Sequence, residues 1–169
     1  MIKSVGDEFW SFSLEFYDRP GVSECLIELQ DRFGADVNLL LFCCWCGASG
    51  RPPVDEPQLR EAMAQTGIWQ SDVVQRLRSL RRDMKAGIDG VPLSYSNPVR
   101  EEIKRLEIKC ERIEQMRLAS LAHVAREVRG TASIRIALEA YFRLLGVEKK
   151  TIIREYIAQL ASACGQCDE

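Results

Sequence analysis

Apolar residues recur at intervals of three and four along almost the whole chain, which is the spacing of an amphipathic α-helix. No segment shows a convincing alternation of the kind that half-buried strands need, and proline and glycine interrupt the helical pattern at residues 47–57 and 87–97. These two stretches are predicted to be linker-like loops. We predict an all-α fold in which residues 1–169 form a single domain, a bundle of six to eight helices.

Two helix boundaries carry specific start signals. Asp36 precedes the most apolar stretch of the chain, residues 37–46, and its carboxylate can accept the free amide hydrogens of a first helical turn. Asn97 followed by Pro98 is a similar signal, because asparagine caps helices and proline suits the first helical position. This second signal predicts one long helix near residues 98–129.

The long helix is predicted to carry a packing seam and ordinary surface charges. Glu111 and Glu114 lack the Glu-x-x-His arrangement of a di-iron bundle. We predict instead that Glu114 forms an ordinary surface pair with Arg117. The seam has a three-four-three spacing of apolar residues that is typical of contact between helices. It consists of Ile103, Leu106, Cys110 and Ile113.

Composition and charge exclude several classes of protein. With 169 residues, 46% hydrophobic and 28% charged, the chain has the composition of a folded globular protein rather than a disordered one. A net charge of −2 lacks the basic excess of a dedicated nucleic-acid-binding protein. The apolar run at residues 39–48 is about half the length of the roughly 20 residues that a membrane span needs. Since no signal peptide is recognised either, we expect a cytoplasmic protein without a membrane span.

Seven cysteines raise the question of a metal or redox site. Cys164 and Cys167 have Cys-x-x-Cys spacing, and three further thiols occur at residues 43–46. On a helix, however, Cys43 and Cys44 point about 100° apart. The odd number of cysteines favours reduced thiols over a disulfide framework. We therefore predict no metal site and no cofactor, and we interpret the cysteines as small buried apolar residues.

A long motif in the N-terminal part of the chain resembles a known family. It includes Phe9-Trp10-Ser11-Phe12-Ser13-Leu14, Tyr17, Pro20-Gly21-Val22, Asp36-Val37-Asn38 and Leu40-Leu41-Phe42-Cys43-x-Trp45-x-Gly47. In these residues the chain is similar to short, mostly proteobacterial proteins that are described only as a domain of unknown function. The resemblance implies a cytosolic helical protein and assigns no activity. Cys43 belongs to the family motif, whereas Cys44 and Cys46 do not.

Aromatic and polar residues near the N-terminus are the first candidate site. Aromatic side chains of the first helix and of the helix after Asp36 can line an apolar pocket, and polar side chains nearby can orient a ligand. Core packing and hydrogen bonds at helix ends are the simpler, structural explanation of the same residues. The ligand-pocket candidates are Trp10, Gln30, Asn38, Phe42 and Trp45.

A basic helix at residues 76–85 is the second candidate site. It carries five basic residues and one acidic residue, and an apolar stripe leaves most of the basic side chains facing outward. Such a face can bind an anion, a nucleic acid or an acidic protein surface, or it can be a solvated face paired with acidic neighbours. The candidates for binding an anion or a partner are Arg78, Arg81, Arg82 and Lys85.

No catalytic arrangement is found in the sequence. A Ser-His-Asp pattern, a phosphate-binding loop and a Gly-x-Gly-x-x-Gly motif are missing, and His123 has no recognisable acid–base partner. Our first hypothesis is a non-enzymatic regulator or adaptor that binds a protein partner or self-associates. The second is a bundle that binds an apolar ligand or cofactor, as an uncharacterised enzyme would. Nucleic-acid binding through the basic helix is the third and least favoured.

Overall fold

A computed structural model describes residues 4–125 and 130–165, and these residues form an all-α bundle, as predicted. A π-helical turn, Gln70–Val74, joins α4 to α5, so that their path is continuous, and the 3-10 turn Met84–Ala86 follows α5. The helices are α1 Val5–Tyr17, α2 Val22–Phe33, α3 Val37–Ala48, α4 Glu56–Trp69, α5 Gln75–Asp83, α6 Leu93–Ser120, α7 Thr131–Leu144 and α8 Thr151–Gly165.

Helix α3 is the centre of the bundle. Its residues from Asn38 to Gly47 are all buried, and it packs against α1, α2, α6, α7 and α8. The predicted cap is confirmed, because the Asp36 carboxylate accepts a hydrogen bond from the Asn38 amide at 2.8 Å. Gly47 lets α7 approach closely, since a Cβ atom there would lie only 3.2 Å from the Ile134 backbone nitrogen.

The predicted long helix is confirmed as α6, but its ends differ from those predicted. Helix α6 begins at Leu93 rather than at residue 98, because the turn before Pro98 is already helical and the Tyr95 and Ser96 amides donate to the Pro92 carbonyl. It ends at Ser120 rather than continuing toward residue 129, and residues 126–129 lie outside the described part. Gln58 Nε2 donates to the Leu121 carbonyl at 2.8 Å and so satisfies a backbone acceptor at this helix end.

The two predicted loops are correspondingly shorter than the sequence suggests. Helix α3 extends to Ala48, and α4 begins at Glu56 with Pro57 in its first turn, where a missing amide hydrogen costs no hydrogen bond. The first connection is therefore residues 49–55 rather than 47–57. The second, predicted at 87–97, ends where α6 begins and is residues 87–92.

Helix α5, the 3-10 turn and the N-terminal half of α6 form a two-helix arm, residues 75–106. Met84 and Ser96 are the only buried residues in the arm. The C-terminal half of α6, in contrast, buries six residues against the rest of the bundle. Most side chains of the arm are therefore exposed to solvent, and the arm buries few of its own residues.

The predicted seam on the long helix does not face the bundle. Of its four residues only Cys110 is buried, whereas Leu106 and Ile113 are 49% and 51% exposed and Ile103 is half-buried. The face of α6 that turns inward is instead largely polar. Its buried residues are Ser96, Glu107, Cys110, Glu114, Gln115, Leu118 and Ala119.

Candidate functional site

A buried polar cluster joins α3 to α6 in the interior of the bundle. Asn38 lies in the first turn of α3, and Glu114 and Gln115 lie on the inward face of α6; all three are at most 5% exposed. Asn38 Nδ2 donates to Glu114 Oε2 at 3.0 Å, and Gln115 Nε2 donates to Asn38 Oδ1 at 2.9 Å. The Asn38 amide is thus held at both ends, which explains why a polar residue occupies the most apolar helix of the chain.

The prediction that Glu114 forms a surface pair with Arg117 is wrong. The Glu114 side chain points into the bundle, while Arg117 bonds to Gln65 and Ser120 at the surface. Sequence reasoning missed Glu114 as a buried residue, although one signal was present. Glu114 lies four residues from Cys110 and four from Leu118, both of which are buried on the same helix face.

Glu114 forms a hydrogen-bonded carboxyl pair with Asp36. Two carboxyl groups can bond to each other only if one of them carries a proton, because an ionised carboxylate has no hydrogen to donate. Burial raises the pKa of both groups, and the charge of Asp36 raises that of Glu114 further. Glu114 Oε1 is buried and has no N–H or hydroxyl partner in the described part of the chain.

Tyr141 of α7 is also part of the polar cluster, because it bonds to Asp36. Its hydroxyl oxygen accepts a hydrogen bond from the Asp36 backbone amide at 2.8 Å, although the ring is 1% exposed. Burial raises the pKa of Tyr141 far above its ordinary value, so the hydroxyl stays neutral. The cluster therefore ties three helices, α3, α6 and α7, through groups that are neutral or share a proton.

The hydrogen-bonded network extends from the interior to α5 through two further carboxylates of α6, those of Glu107 and Glu111. Arg78 donates to Glu107 at 3.0 Å, to Glu111 at 2.5 Å and to Gln30 at 2.5 Å, and Arg81 donates to Glu107 at 2.5 Å. Burial alone would raise the pKa of Glu107, but the hydrogen bonds and charges of the two arginines outweigh it and lower the value. These ion pairs hold the arm against the body of α6.

A shallow groove of about 280 Å³ lies between α2 and α5 at the outer end of this network. It brings together Gln30, from the ligand-pocket candidates, with Arg78 and Arg82, from the basic candidates. Arg82 donates to Asp31 across the groove at 3.0 Å. The groove is lined by Gln30, Asp31, Gln75, Arg78, Ser79, Arg82 and Asp83.

The basic candidates are largely occupied by acidic partners within the chain. Arg78, Arg81 and Arg82 each form ion pairs with carboxylates of α6 or α2. Lys85 is exposed in the 3-10 turn after α5. The arrangement matches a helix face that is paired with acidic neighbours, and each guanidinium would have to leave a carboxylate before binding an external anion.

The aromatic candidates divide between core and surface. Phe42 and Trp45 are fully packed, with their rings centred 5.9 and 4.8 Å from that of Phe9. Trp10 is half-buried, and the Arg112 guanidinium lies 5.7 Å from its ring. The five ligand-pocket candidates therefore lie in four places: Phe42 and Trp45 in the core, Trp10 on α1, Asn38 in the polar cluster and Gln30 in the groove.

The six cysteines within the described residues are all buried free thiols. Burial raises the pKa of Cys25 and Cys46 to about 12, so these thiols are poor nucleophiles and poor metal ligands at neutral pH. Cys167 lies outside the described residues, and so does any pairing that it makes with Cys164. In the ranges 4–125 and 130–165, no group of three or more histidine, cysteine or acidic side chains is arranged to hold a metal ion.

The surface of the arm carries an unusual number of exposed apolar residues. Tyr95 is 73% exposed, and a row of three residues seven positions apart on α6, Val99, Leu106 and Ile113, is 49–52% exposed. We call these three residues the α6 row. Four more exposed apolar residues belong to the arm: Leu80, Ile88, Val91 and Leu93. Sequence reasoning identified Leu106 and Ile113 as a seam but did not reveal that this seam faces solvent.

Comparison with known proteins assigns the chain to a family but not to an activity. The model of a family described as a protein of unknown function, DUF2390, matches residues 8–118. No curated protein and no solved structure matches the chain. Where the chain is described, none of its helices has the length and apolar character needed to cross a membrane.

Proposed function

The chain belongs to the DUF2390 family of proteins of unknown function, and from its surface we propose that it is a non-enzymatic regulator or adaptor that binds a protein partner through its arm. The observation that carries the proposal is the exposed apolar surface of residues 75–106. An arm that buries only two of its own residues adds little to the core, yet it displays seven exposed large apolar side chains. A large exposed apolar patch on a protein surface marks an interaction site.

The composition of the arm also suits a protein interface. Tyr95 offers a large ring with a hydroxyl group, and aromatic residues of this type are enriched at the centres of interfaces. The arm also carries exposed arginine, lysine and glutamate side chains, which would supply the polar rim of an interface. Arg100 donates to the Arg81 carbonyl at 3.3 Å and so joins the two helices of the arm, while the ion pairs of Arg78 and Arg81 hold α5 against α6 just beyond the arm; this order before a partner arrives lowers the entropy cost of binding.

The other two hypotheses have weaker support. An apolar ligand pocket would need space beside Phe42 and Trp45, and both side chains are at most 2% exposed within close-packed rings. Nucleic-acid binding through α5 would need free guanidinium groups, and Arg78, Arg81 and Arg82 are paired with carboxylates. Neither the packed aromatic core nor the paired arginines of α5 offer a free binding surface, whereas the arm exposes apolar side chains.

Site-specific photo-crosslinking in cells tests the proposal. A benzophenone amino acid is placed at Val99 on the arm and, as a control, at Ile136 on α7, which is 54% exposed and therefore equally accessible. We expect a discrete covalent adduct from position 99 that position 136 does not give. Tyr95→Lys, four residues away, should abolish that adduct. The proposal is wrong if position 99 gives no adduct, or only the adducts that position 136 gives.

A further inference from the structure

The α6 row has a spacing that makes it complementary to itself. Val99, Leu106 and Ile113 are seven residues apart, so they lie on one face of α6 and span about 21 Å along its axis. Their exposed fractions are nearly equal, 52%, 49% and 51%. Leu106 is the midpoint, with one branched apolar residue at the same distance on either side.

We propose that the partner of this surface is a second copy of the same chain, bound with the two α6 helices antiparallel around a two-fold axis at Leu106. This inference rests on the proposed function, because it names the partner of the same surface. A two-fold axis makes each contact occur twice with the roles exchanged. Leu106 then meets Leu106 of the second copy, and Val99 meets Ile113.

The charges beside the α6 row favour the antiparallel orientation. Glu102 and Lys109 lie on the same edge of the row, four residues before and three residues after Leu106. In the antiparallel pair Glu102 of each copy therefore faces Lys109 of the other, which gives two attractive contacts. A parallel pair would instead bring the edge with Glu102 and Lys109 against the opposite edge of the second copy, so that neither charge would gain a partner of opposite sign.

These charges are available for the new contacts. The Glu102 side chain is 71% exposed and bonds to Arg105, one turn away on the same helix and 63% exposed. Exchanging this partner for Lys109 of a second copy uncovers no buried group. On the other edge of the row, the half-buried Ile103 lies three residues before Leu106, whereas Cys110, four residues after Leu106, is buried within its own chain and takes no part in the contact.

The contact is small, which sets the affinity to expect. A helix pair over about 21 Å buries roughly 800–1,000 Å² in total, at the lower limit for a specific interface. Tyr95 lies on the arm beyond Val99 and is exposed. In the antiparallel pair it would lie level with Arg117 of the second copy and would extend the contact. We therefore expect a dimer that dissociates in the micromolar range rather than a permanent one.

Sedimentation velocity over about 1–100 µM protein is the first test. The full chain should shift from 19.2 kDa toward twice that mass, 38.4 kDa, as its concentration rises. Leu106→Glu should remain monomeric, because it places two carboxylates together at the axis. Ile136→Glu, a change of equal exposure on α7, should dimerise like the wild type. Circular dichroism of both variants verifies that their helices are intact.

A charge reversal tests the orientation. Glu102→Lys alone should weaken the dimer roughly tenfold, because each Glu–Lys contact becomes a Lys–Lys contact. The double variant Glu102→Lys with Lys109→Glu should restore the wild-type dissociation constant, since the two contacts re-form with reversed polarity. A merely structural role of Glu102 would not give this rescue.

The outcomes separate this inference from the proposed function. A chain that is monomeric throughout, a dimer that survives Leu106→Glu, or a double variant no stronger than the single one each overturns the α6 pairing. If Val99 still crosslinks to a different protein, the arm remains an interaction site and only the identity of its partner is wrong. If position 99 gives no specific adduct and the chain is monomeric, both proposals fail.

Discussion

Replacing Glu114 with glutamine should stabilise the protein at neutral and alkaline pH, although Glu114 is buried at the centre of a hydrogen-bond network. The bond between Glu114 and Asp36 needs a proton, because both groups are carboxyls. A glutamine amide donates to Asp36 with its own N–H, and its oxygen still accepts from Asn38 Nδ2. The substitution therefore keeps the hydrogen bonds and removes the second acidic group from the interior.

The pH dependence of the wild type follows from the sign of the pKa shift. Burial and the charge of Asp36 raise the pKa of Glu114 from 4.5 to about 10. The folded state thus keeps a proton that the unfolded state releases, so stability is fully present below the unfolded pKa and is lost as the pH rises through this window. One proton corresponds to a slope of at most about 1.4 kcal/mol per pH unit.

Structural relaxation and the other carboxyls of the network reduce the effect. We expect Glu114→Gln to be more stable than the wild type by about 1–3 kcal/mol near pH 8, and to show a flatter dependence of stability on pH. Urea denaturation, followed by far-ultraviolet circular dichroism in reducing buffer at several pH values, measures both quantities. Glu101→Gln on the same helix, where the side chain is 52% exposed, should change stability by less than about 0.5 kcal/mol. A variant less stable than the wild type at every pH would refute the shared proton.

Two further pairs of variants test the ion pairs and the packing by urea denaturation. Arg78→Met should cost roughly 3 kcal/mol, because Glu111 loses its cation and Glu107 keeps only Arg81 in a largely buried site, whereas Arg82→Met removes an exposed pair and should cost less than about 1 kcal/mol. Equal losses from the two would contradict the assignment of the inner ion pairs. Gly47→Ala should cost roughly 1–3 kcal/mol, because its Cβ would lie against Ile134 at the contact of α3 with α7. Gly67→Ala is the control, because a Cβ at this helical position meets open space. It should stabilise the protein by about 0.5–1 kcal/mol, and a loss of stability would contradict this reasoning.

The helices and their central element could be predicted from the sequence because those signals are local. Asp36 before an apolar run predicts a cap, and Gly34 at a positive φ of 67° ends the preceding helix as a glycine at this position should. The apolar run itself predicts burial, and α3 is the central helix of the bundle. Local signals do not fix where a helix stops when no breaker follows, and for this reason the C-terminal end of α6 was predicted incorrectly.

The polar cluster could not be predicted, because its members come from distant parts of the chain. Asn38 and Glu114 are 76 residues apart, and nothing in either local sequence reveals the other. A glutamate one turn before an arginine on a helix is most simply a surface pair, and that simple reading was wrong here. The exposure of the arm was equally hidden, since periodicity shows that a helix has an apolar face but not whether another element covers it.

The burial of a polar face of α6 accounts for the exposure of its apolar face. Leu106 and Ile113 are exposed, while the residues that follow them, Glu107 and Glu114, are buried. A rotation of α6 by about 100° would exchange these positions. It would bury two apolar side chains, each worth on the order of 1 kcal/mol at this exposure, and return two carboxylates to water. The observed rotation is held against that preference by the arginines of α5 and by the hydrogen bonds to Asp36 and Asn38. The buried network thus has a consequence at the surface, because it keeps an apolar row facing outward where a second protein can reach it.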